Sequence, residues 1–346
     1  MIKAARPEHP HRGAVPTEPH GRIPDQREPI RQMQKIFTSG KLCDIFSLIH
    51  KNMKILTALS IALVAASTLQ AAPKKLLVVT TTASFRHSSI PTAEKILAQL
   101  AQDSGEFTVD YVQQPPGHPV AGFPAKLKAD ATDADKAAFN AAEAAFNEKL
   151  KVVLQKLSPE NLKNYDGVIF ASTTGDLPLP DPQGFLNWIK AGHAFIGIHA
   201  ASDTFHKWPD FAAMLGGEFA THGPQVSVEC LNEDPAHPAT AHLGKAWTLQ
   251  QEEIYQFKNY DAAKVHDLLI LDKHPDPKQN NAPGHYPVSW CKHYGNGNVF
   301  YTSLGHREDV WDTDATLKNR KNDASISKAY QQHVLGGIEW ALGLKK

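Results

Sequence analysis

Cysteine is nearly missing from this chain: three residues in 346, Cys43, Cys230 and Cys291, with no Cys-x-x-Cys pattern among them. A paired-thiol redox motif is thereby excluded. Cys230 and Cys291 lie in strand-like runs at 225–231 and 286–294. After export they could pair, although apolar strand cysteines more often pack as ordinary side chains. An excess of either charge is also absent, with 36 basic and 36 acidic residues. A nucleic-acid binder normally carries a basic patch or a high pI, so no nucleic-acid partner is expected. Internal repeats are missing, and so is any apolar run long enough to span a bilayer. What is abundant is histidine, 18 residues, recurring in His-Pro, Gly-His and Arg-His contexts. The 42% hydrophobic content supplies an ample core for one large domain.

The first seventy residues differ from the rest. Residues 1–35 are rich in Pro, Arg, His and Glu and cannot bury a core. At Met53 the character changes, with Lys54 as a short basic segment and ILTALSIALVAA at 55–66 as an unbroken apolar run. Small residues at 67–71 then suit cleavage after Ala71, and Pro73 disfavours a cut one residue later. The pattern is that of a secretory signal peptide, too short for a membrane span. Residues 1–52 are therefore expected to be a mis-called or disordered leader, 53–71 a signal peptide and 72–346 the mature domain. An exported protein, secreted or periplasmic and free of the membrane after cleavage, follows as the expectation.

Within the mature chain, KLLVVTTT at 75–82 reads as a first buried strand. Pro91 opens a helix over 92–102, and 107–112 alternates as a second strand. Strand, helix and strand within some forty residues mark a parallel sheet. A long amphipathic helix is expected over 133–157, with Phe139, Phe146, Leu150, Val153 and Leu157 on one face. A third strand falls at 166–172, and a helix at 183–190. The run 194–198 is a buried fourth strand ending abruptly at His199, where Ala200 and Ala201 let the chain turn into a helix start. Gly197 leaves room there for close packing. Further strands are expected at 225–231, 252–257 and 265–271. A hairpin follows around Gly295-Asn296-Gly297, and a final helix covers 326–342.

Four apolar strands end in polar, chemically capable residues. These are Phe85-Arg86-His87, Thr174-Gly175-Asp176, His199 with Asp203, and Gly305-His306-Arg307. In an open parallel sheet the carboxyl ends of the strands share one edge, where ligands bind. Imidazoles beside carboxylates suit acid/base work near neutral pH. His87, His199, His222, Glu253 and His306 are also the residue types that hold a divalent metal, although their spacing does not define a site. Each histidine alone reads equally as a core residue bonded to a carbonyl. His237-Pro238 reads as a turn.

The strings FRHSS, TGD, FIGIHAASDTF and WPDFAAMLGGEFATHGP resemble the ThuA-like (trehalose-utilisation) family. HPAT, EEIYQF, PVSW and YGNGNVFYTSLGHREDVW carry the resemblance on to the end of the chain. It implies a single α/β domain, a flavodoxin-like three-layer sandwich with a mostly parallel central sheet, of class I glutamine amidotransferase-like type. True amidotransferases place a nucleophilic cysteine in a strained strand-to-helix elbow, whereas the corresponding turn here holds His199. A thioester mechanism is excluded by residue type. His306 with Glu308 stands where the amidotransferase His/Glu pair would be. The resemblance implies a small-molecule carbohydrate, trehalose or a related glycoside, as substrate. His199, Asp203, His306 and His87 are the expected catalytic groups. Phe85, Arg86, Thr174, Gly175, Asp176, Trp208, His222, Glu253, Tyr255 and Arg307 are the expected substrate contacts. The alternative is a non-catalytic carbohydrate-binding or accessory protein on the same fold.

Overall fold

The computed structural model describes residue 50 and residues 72–116, 127–279 and 281–346. The leader and signal-peptide expectations, at 1–52 and 53–71, lie outside the described residues apart from His50. The compact unit considered below is Ala72–Lys346.

Five strands form the parallel half of a nine-stranded sheet: β1 (Lys74–Val79), β2 (Phe107–Val112), β3 (Gly167–Ala171), β4 (Ala194–Ile198) and β11 (Gly297–Thr302). They are extended by four strands added antiparallel, β6 (Val226–Asn232), β7 (Ala246–Glu252), β9 (His266–Leu271) and β10 (Tyr286–Tyr294). The order across the sheet is β2-β1-β3-β4-β11-β10-β9-β6-β7. A separate antiparallel pair joins β5 (Glu218–His222) to β8 (Tyr255–Lys258).

Strands β1, β3 and β4 are buried on both faces, which explains their near-continuous apolar sequence. Alternate residues feed two cores. Leu76 and Val78 pack with α1 (Ile90–Ser104) and with the C-terminal helix, which carries Tyr330, Val334 and Ile338. Leu77 and Val79 pack on the other face, with Phe146 and Leu150 of α2 (Asp133–Leu154) and Phe185 and Ile189 of the next long helix. In chain order the remaining helices are α3 (Pro159–Leu162), α4 (Pro182–Lys190), α5 (Pro209–Leu215), α6 (Glu308–Trp311) and α7 (Ala324–Ala341). Helices on both faces of one sheet make the three-layer α/β domain expected from the sequence. Among the described residues no helix is long and apolar enough to cross a membrane.

Three local expectations change. The 133–157 helix ends its α-form at Leu154 and finishes as a 3₁₀ turn, Gln155–Leu157. The element after β4 is a five-residue 3₁₀ turn, His199–Asp203, and not an α-helix start. Residues 252–257 are not one strand: β7 stops at Glu252 and β8 begins at Tyr255, in a different sheet.

Cys230 and Cys291 are free and buried. Cys230 of β6 faces Leu271 of β9, and Cys291 of β10 faces His266 on the other side of β9. Two strand spacings, about 10 Å, and a further offset of about 17 Å along β9 separate them, beyond the reach of a disulfide. Burial pushes the Cys291 thiol up to about 12 and that of Cys230 higher still. The melting temperature is expected to be the same with and without a thiol reductant. A fall on reduction would show that the two are bridged.

Candidate metal centre

The parallel strands deliver their carboxyl ends to one edge, and the side chains that meet there come from four loops. After β1 the chain runs to His87, held by short-range ties. Ala83 N–H donates to the Thr174 carbonyl at 2.8 Å, and Thr174 Oγ1 donates to the Phe85 carbonyl at 2.7 Å. After β4 comes His199, whose φ of 50° is a left-handed conformation that costs a branched or bulky residue strain. Gly197 makes the turn possible, since a Cβ there would sit 2.9 Å from the Tyr301 ring. The Tyr301 hydroxyl in turn donates to the His199 carbonyl at 2.8 Å. After β11, Gly305 (φ 114°) turns the chain into His306.

The fourth contribution depends on a β-bulge. Val226 faces Glu252 and Val228 faces Leu249, so β7 carries one more residue than β6 across that interval. Gln251 takes a left-handed φ of 52° within it. A bulge re-aims the side chains beside it. Here Glu252 and Glu253 are both buried, whereas regular alternation would send one of them out.

One ligand atom each from His87, His199, Glu253 and His306 lies within 4.8 Å of every other. His306 Nδ1 stands 3.2 Å from Glu253 Oε2 and 3.3 Å from His199 Nε2. His199 Nε2 and His87 Nε2 are 3.7 and 4.0 Å from the same oxygen. Ligand atoms about 2.0–2.1 Å from a tetrahedral zinc are roughly 3.3 Å apart, so small movements complete a shell. Outer contacts fit the same chemistry. The Ser303 carbonyl, 2.7 Å away, can only accept from His199 Nδ1–H, which leaves the Nε2 lone pair for an ion. His87, 5% exposed, lacks such a contact, since its buried Nδ1 has no partner among the described residues.

Burial foremost, then the neighbouring His87 and His306 rings, holds His199 well below the ordinary imidazole value. Burial also lowers His87, against the opposing pull of Glu253. His306 is raised: burial works against its charge, but the contact with Glu253 outweighs it. Burial would raise Glu253, yet hydrogen bonds from His306 and His87 hold it far below the carboxylate range. The cluster therefore offers two imidazoles held neutral, His199 and His87, and an ionised carboxylate, while His306, raised by Glu253, gives up a proton when a divalent ion binds.

Around the cluster the sequence-derived candidates divide. Tyr255 is buried, with its ring 4.7 Å from that of His199 and its hydroxyl 3.4 Å from Nε2. His222 is exposed at the mouth, its Nδ1 3.2 Å from Glu253 Oε1. Phe85, 48% exposed, sets its ring edge-on to His87 at 4.8 Å. Asp203 closes the 3₁₀ turn, with its Oδ1 2.6 Å from His206 Nε2. The rest stand elsewhere. Arg86 is 4% exposed and donates to the Thr80 carbonyl at 2.6 Å, inside the wall. Thr174 and Gly175 tie the loops together: Thr174 is fully buried, and Gly175 N–H donates to the Asp203 carbonyl. Asp176 lies on the surface beside Lys207. Trp208 packs on Phe205 and Phe211 at the edge of the core. Arg307 is paired with Asp309. Glu308 accepts from Ser88 Oγ, so the carboxylate that partners His306 is Glu253. His199 is fully buried, and the turn that carries it is 3₁₀ rather than α.

Residues that the sequence did not single out complete the surroundings. Gln225 Nε2 reaches His306 Nε2 at 2.9 Å. His206 is clamped between Asp203 and Glu218, its Nδ1 2.7 Å from Glu218 Oε1. Burial would lower its pKa, but the two carboxylates raise it. A raised folded value means that the clamp stabilises fully below the unfolded pKa of about 6.5 and is lost as pH rises through the folded one. The melting-temperature gap between the parent and His206→Gln is thus expected to narrow steadily as pH rises from 6 to 9. An unchanged gap across that range would refute the clamp.

A strand-end histidine–carboxylate cluster on a three-layer α/β domain defines the class of protein. The sequence profile of the ThuA family, described as trehalose utilisation, matches residues 75–341, and the chain belongs to that family. Its fold is similar to that of a ThuA-like protein from Parabacteroides merdae. There the identity is 20% over 79% of this chain and 91% of the other, with a TM-score of 0.52. A ThuA-like protein from Bacteroides uniformis is similar at 18% identity over 81% and 96% of the two chains, with a TM-score of 0.51. No match is found among curated proteins.

Proposed function

We propose that the protein is an exported, divalent-metal-dependent enzyme of carbohydrate utilisation, acting on trehalose or a related glycoside. The observation that carries the metal is the convergence of four ligand atoms, one each from His87, His199, Glu253 and His306, within 4.8 Å. Three imidazoles and a carboxylate suit zinc or another borderline divalent ion. A bound ion would supply Lewis acidity toward a sugar oxygen. The chain's own groups do the rest. His222 and Phe85 form the mouth, where an exposed ring offers a stacking face for a pyranose. Asp203, next along the turn from the ligand His199, presents an Oδ2 that accepts no hydrogen bond among the described residues and can take a proton. Burial raises its pKa, partly offset by His206, which places it nearer to neutral pH, where a general base works best.

A screen of the zinc-loaded and the chelated protein against ordinary and 3-keto disaccharides tests this reading. Turnover that is lost on chelation and restored by zinc is expected. Turnover indifferent to the chelator refutes the metal, and sugar binding without any turnover favours the accessory protein.

Export belongs to the same proposal, and rests on the apolar run at 55–66 with small residues up to Ala71. Protein expressed from Met53 in a Gram-negative host is expected in the periplasm, beginning near Ala72. N-terminal sequencing that finds the apolar run intact would contradict it.

A further inference from the structure

Glu252 is fully buried, and it is the neighbour of a ligand rather than a ligand. Its Oε1 accepts the Gly305 N–H at 2.6 Å and the His306 N–H at 2.8 Å. Two successive backbone N–H groups on one oxygen make a small anion-binding nest. That nest needs Gly305, where φ is 114° and a Cβ would fall 2.4 Å from the Tyr330 hydroxyl. The backbone that carries His306 is therefore pinned to β7. Glu252 Oε2 is buried with no partner, and among the described residues no lysine or arginine pairs with Glu252 or Glu253. The tie joins β7 to the loop after β11 at the residue that precedes a candidate ligand on each side, Glu252 before Glu253 and Gly305 before His306.

We propose that Glu252 is a positioning residue of the metal centre. It fixes the backbone of the ligand His306 through the Gly305–His306 nest. The proposal rests on the reading of His87, His199, Glu253 and His306 as ligands, and adds a residue that touches neither ion nor substrate.

The test uses the full chain, stripped of metal and titrated with zinc by calorimetry, alongside Glu252→Gln and Glu252→Ala. Gln keeps an acceptor oxygen for the two N–H groups, so its zinc affinity should stay within a few-fold of the parent's. Ala loses the nest, so its zinc affinity should fall roughly 10–100-fold, the usual effect of losing an outer contact to a ligand. Rescue by Gln separates a positioning role from a general loss of packing. Parental zinc affinity in a folded Glu252→Ala overturns the proposal, and so does a Glu252→Gln whose affinity falls as far as that of Ala. Should His199→Ala bind zinc like the parent, the ligand assignment itself fails, and the inference fails with it.

Discussion

Replacing His199 with alanine is expected to weaken zinc binding by roughly 10³-fold or more, since losing an outer contact to a ligand already costs 10–100-fold. Its Nε2 is oriented by the Nδ1–H bond to the Ser303 carbonyl and stands 3.3 Å from His306 Nδ1. Four elements meet at this ring: β4, which carries it, the loop after β1 through His87, the loop after β11 through His306, and the β7–β8 segment through Glu253 and Tyr255. Full burial means that the change will also lower the melting temperature through the cavity left behind. Stability and function must therefore be separated. His199→Asn is the variant that does so, because asparagine tolerates the left-handed φ of 50° and keeps polarity. It is expected to fold and yet bind zinc hardly better than the alanine variant. Calorimetry beside thermal melts gives both numbers. A folded His199→Asn with parental zinc affinity would make His199 a core histidine satisfied by a carbonyl and nothing more.

The second large effect concerns the opposite edge of the sheet. Gly336 lies in α7, and a Cβ built there would fall 2.1 Å from the Pro238 carbonyl oxygen and 2.7 Å from the Ala239 nitrogen. Those are backbone atoms of the His237-Pro238-Ala239-Thr240 turn. The turn is itself fixed by Asp234, which accepts N–H bonds from Ala236 and His237, and by His333, which donates to the Ala239 carbonyl. Neither side can yield without moving a main chain. Gly336→Ala is expected to cost about 3 kcal/mol, the upper end for overpacking. For a domain of this size that is a drop of roughly 6–12 °C in melting temperature. Gly244→Ala, where the nearest atom is 3.8 Å away, should be close to neutral and serves as the control. Equal effects in the two would mean that the helix seats on the turn more loosely than these distances describe. The same contact explains the HPAT string, which is a structural seat for α7.

Much of the site was legible because parallel strands announce themselves. An apolar run buried on both faces and then broken by polar residues marks a strand and its carboxyl end, and that pattern located His87, His199 and His306. The antiparallel half was harder. Glu252-Ile254-Tyr255-Phe257 reads as one alternating strand, whereas a bulge at Gln251 and a change of sheet turn two consecutive glutamates inward. Nothing in the local pattern signals an inserted residue, because its cause is the register against β6. Glu253 was identified by residue type alone, and Glu252 could not be. His206 and Glu218 escaped because their pairing depends on β5, which was not recognisable as a strand. Arg86 and Trp208 misled in the other direction. A polar or aromatic residue beside a site motif still prefers the wall when a carbonyl or a phenylalanine lies within reach.

The central claim is that His87, His199, Glu253 and His306 together hold a divalent ion. X-ray absorption at the zinc edge, on the full chain loaded with zinc and assayed for stoichiometry, tests it most directly. The account predicts one zinc per chain with only nitrogen and oxygen neighbours at about 2.0–2.1 Å. A sulfur shell at about 2.3 Å, or uptake of zinc that persists when His87, His199 and His306 are all replaced by alanine, would contradict it.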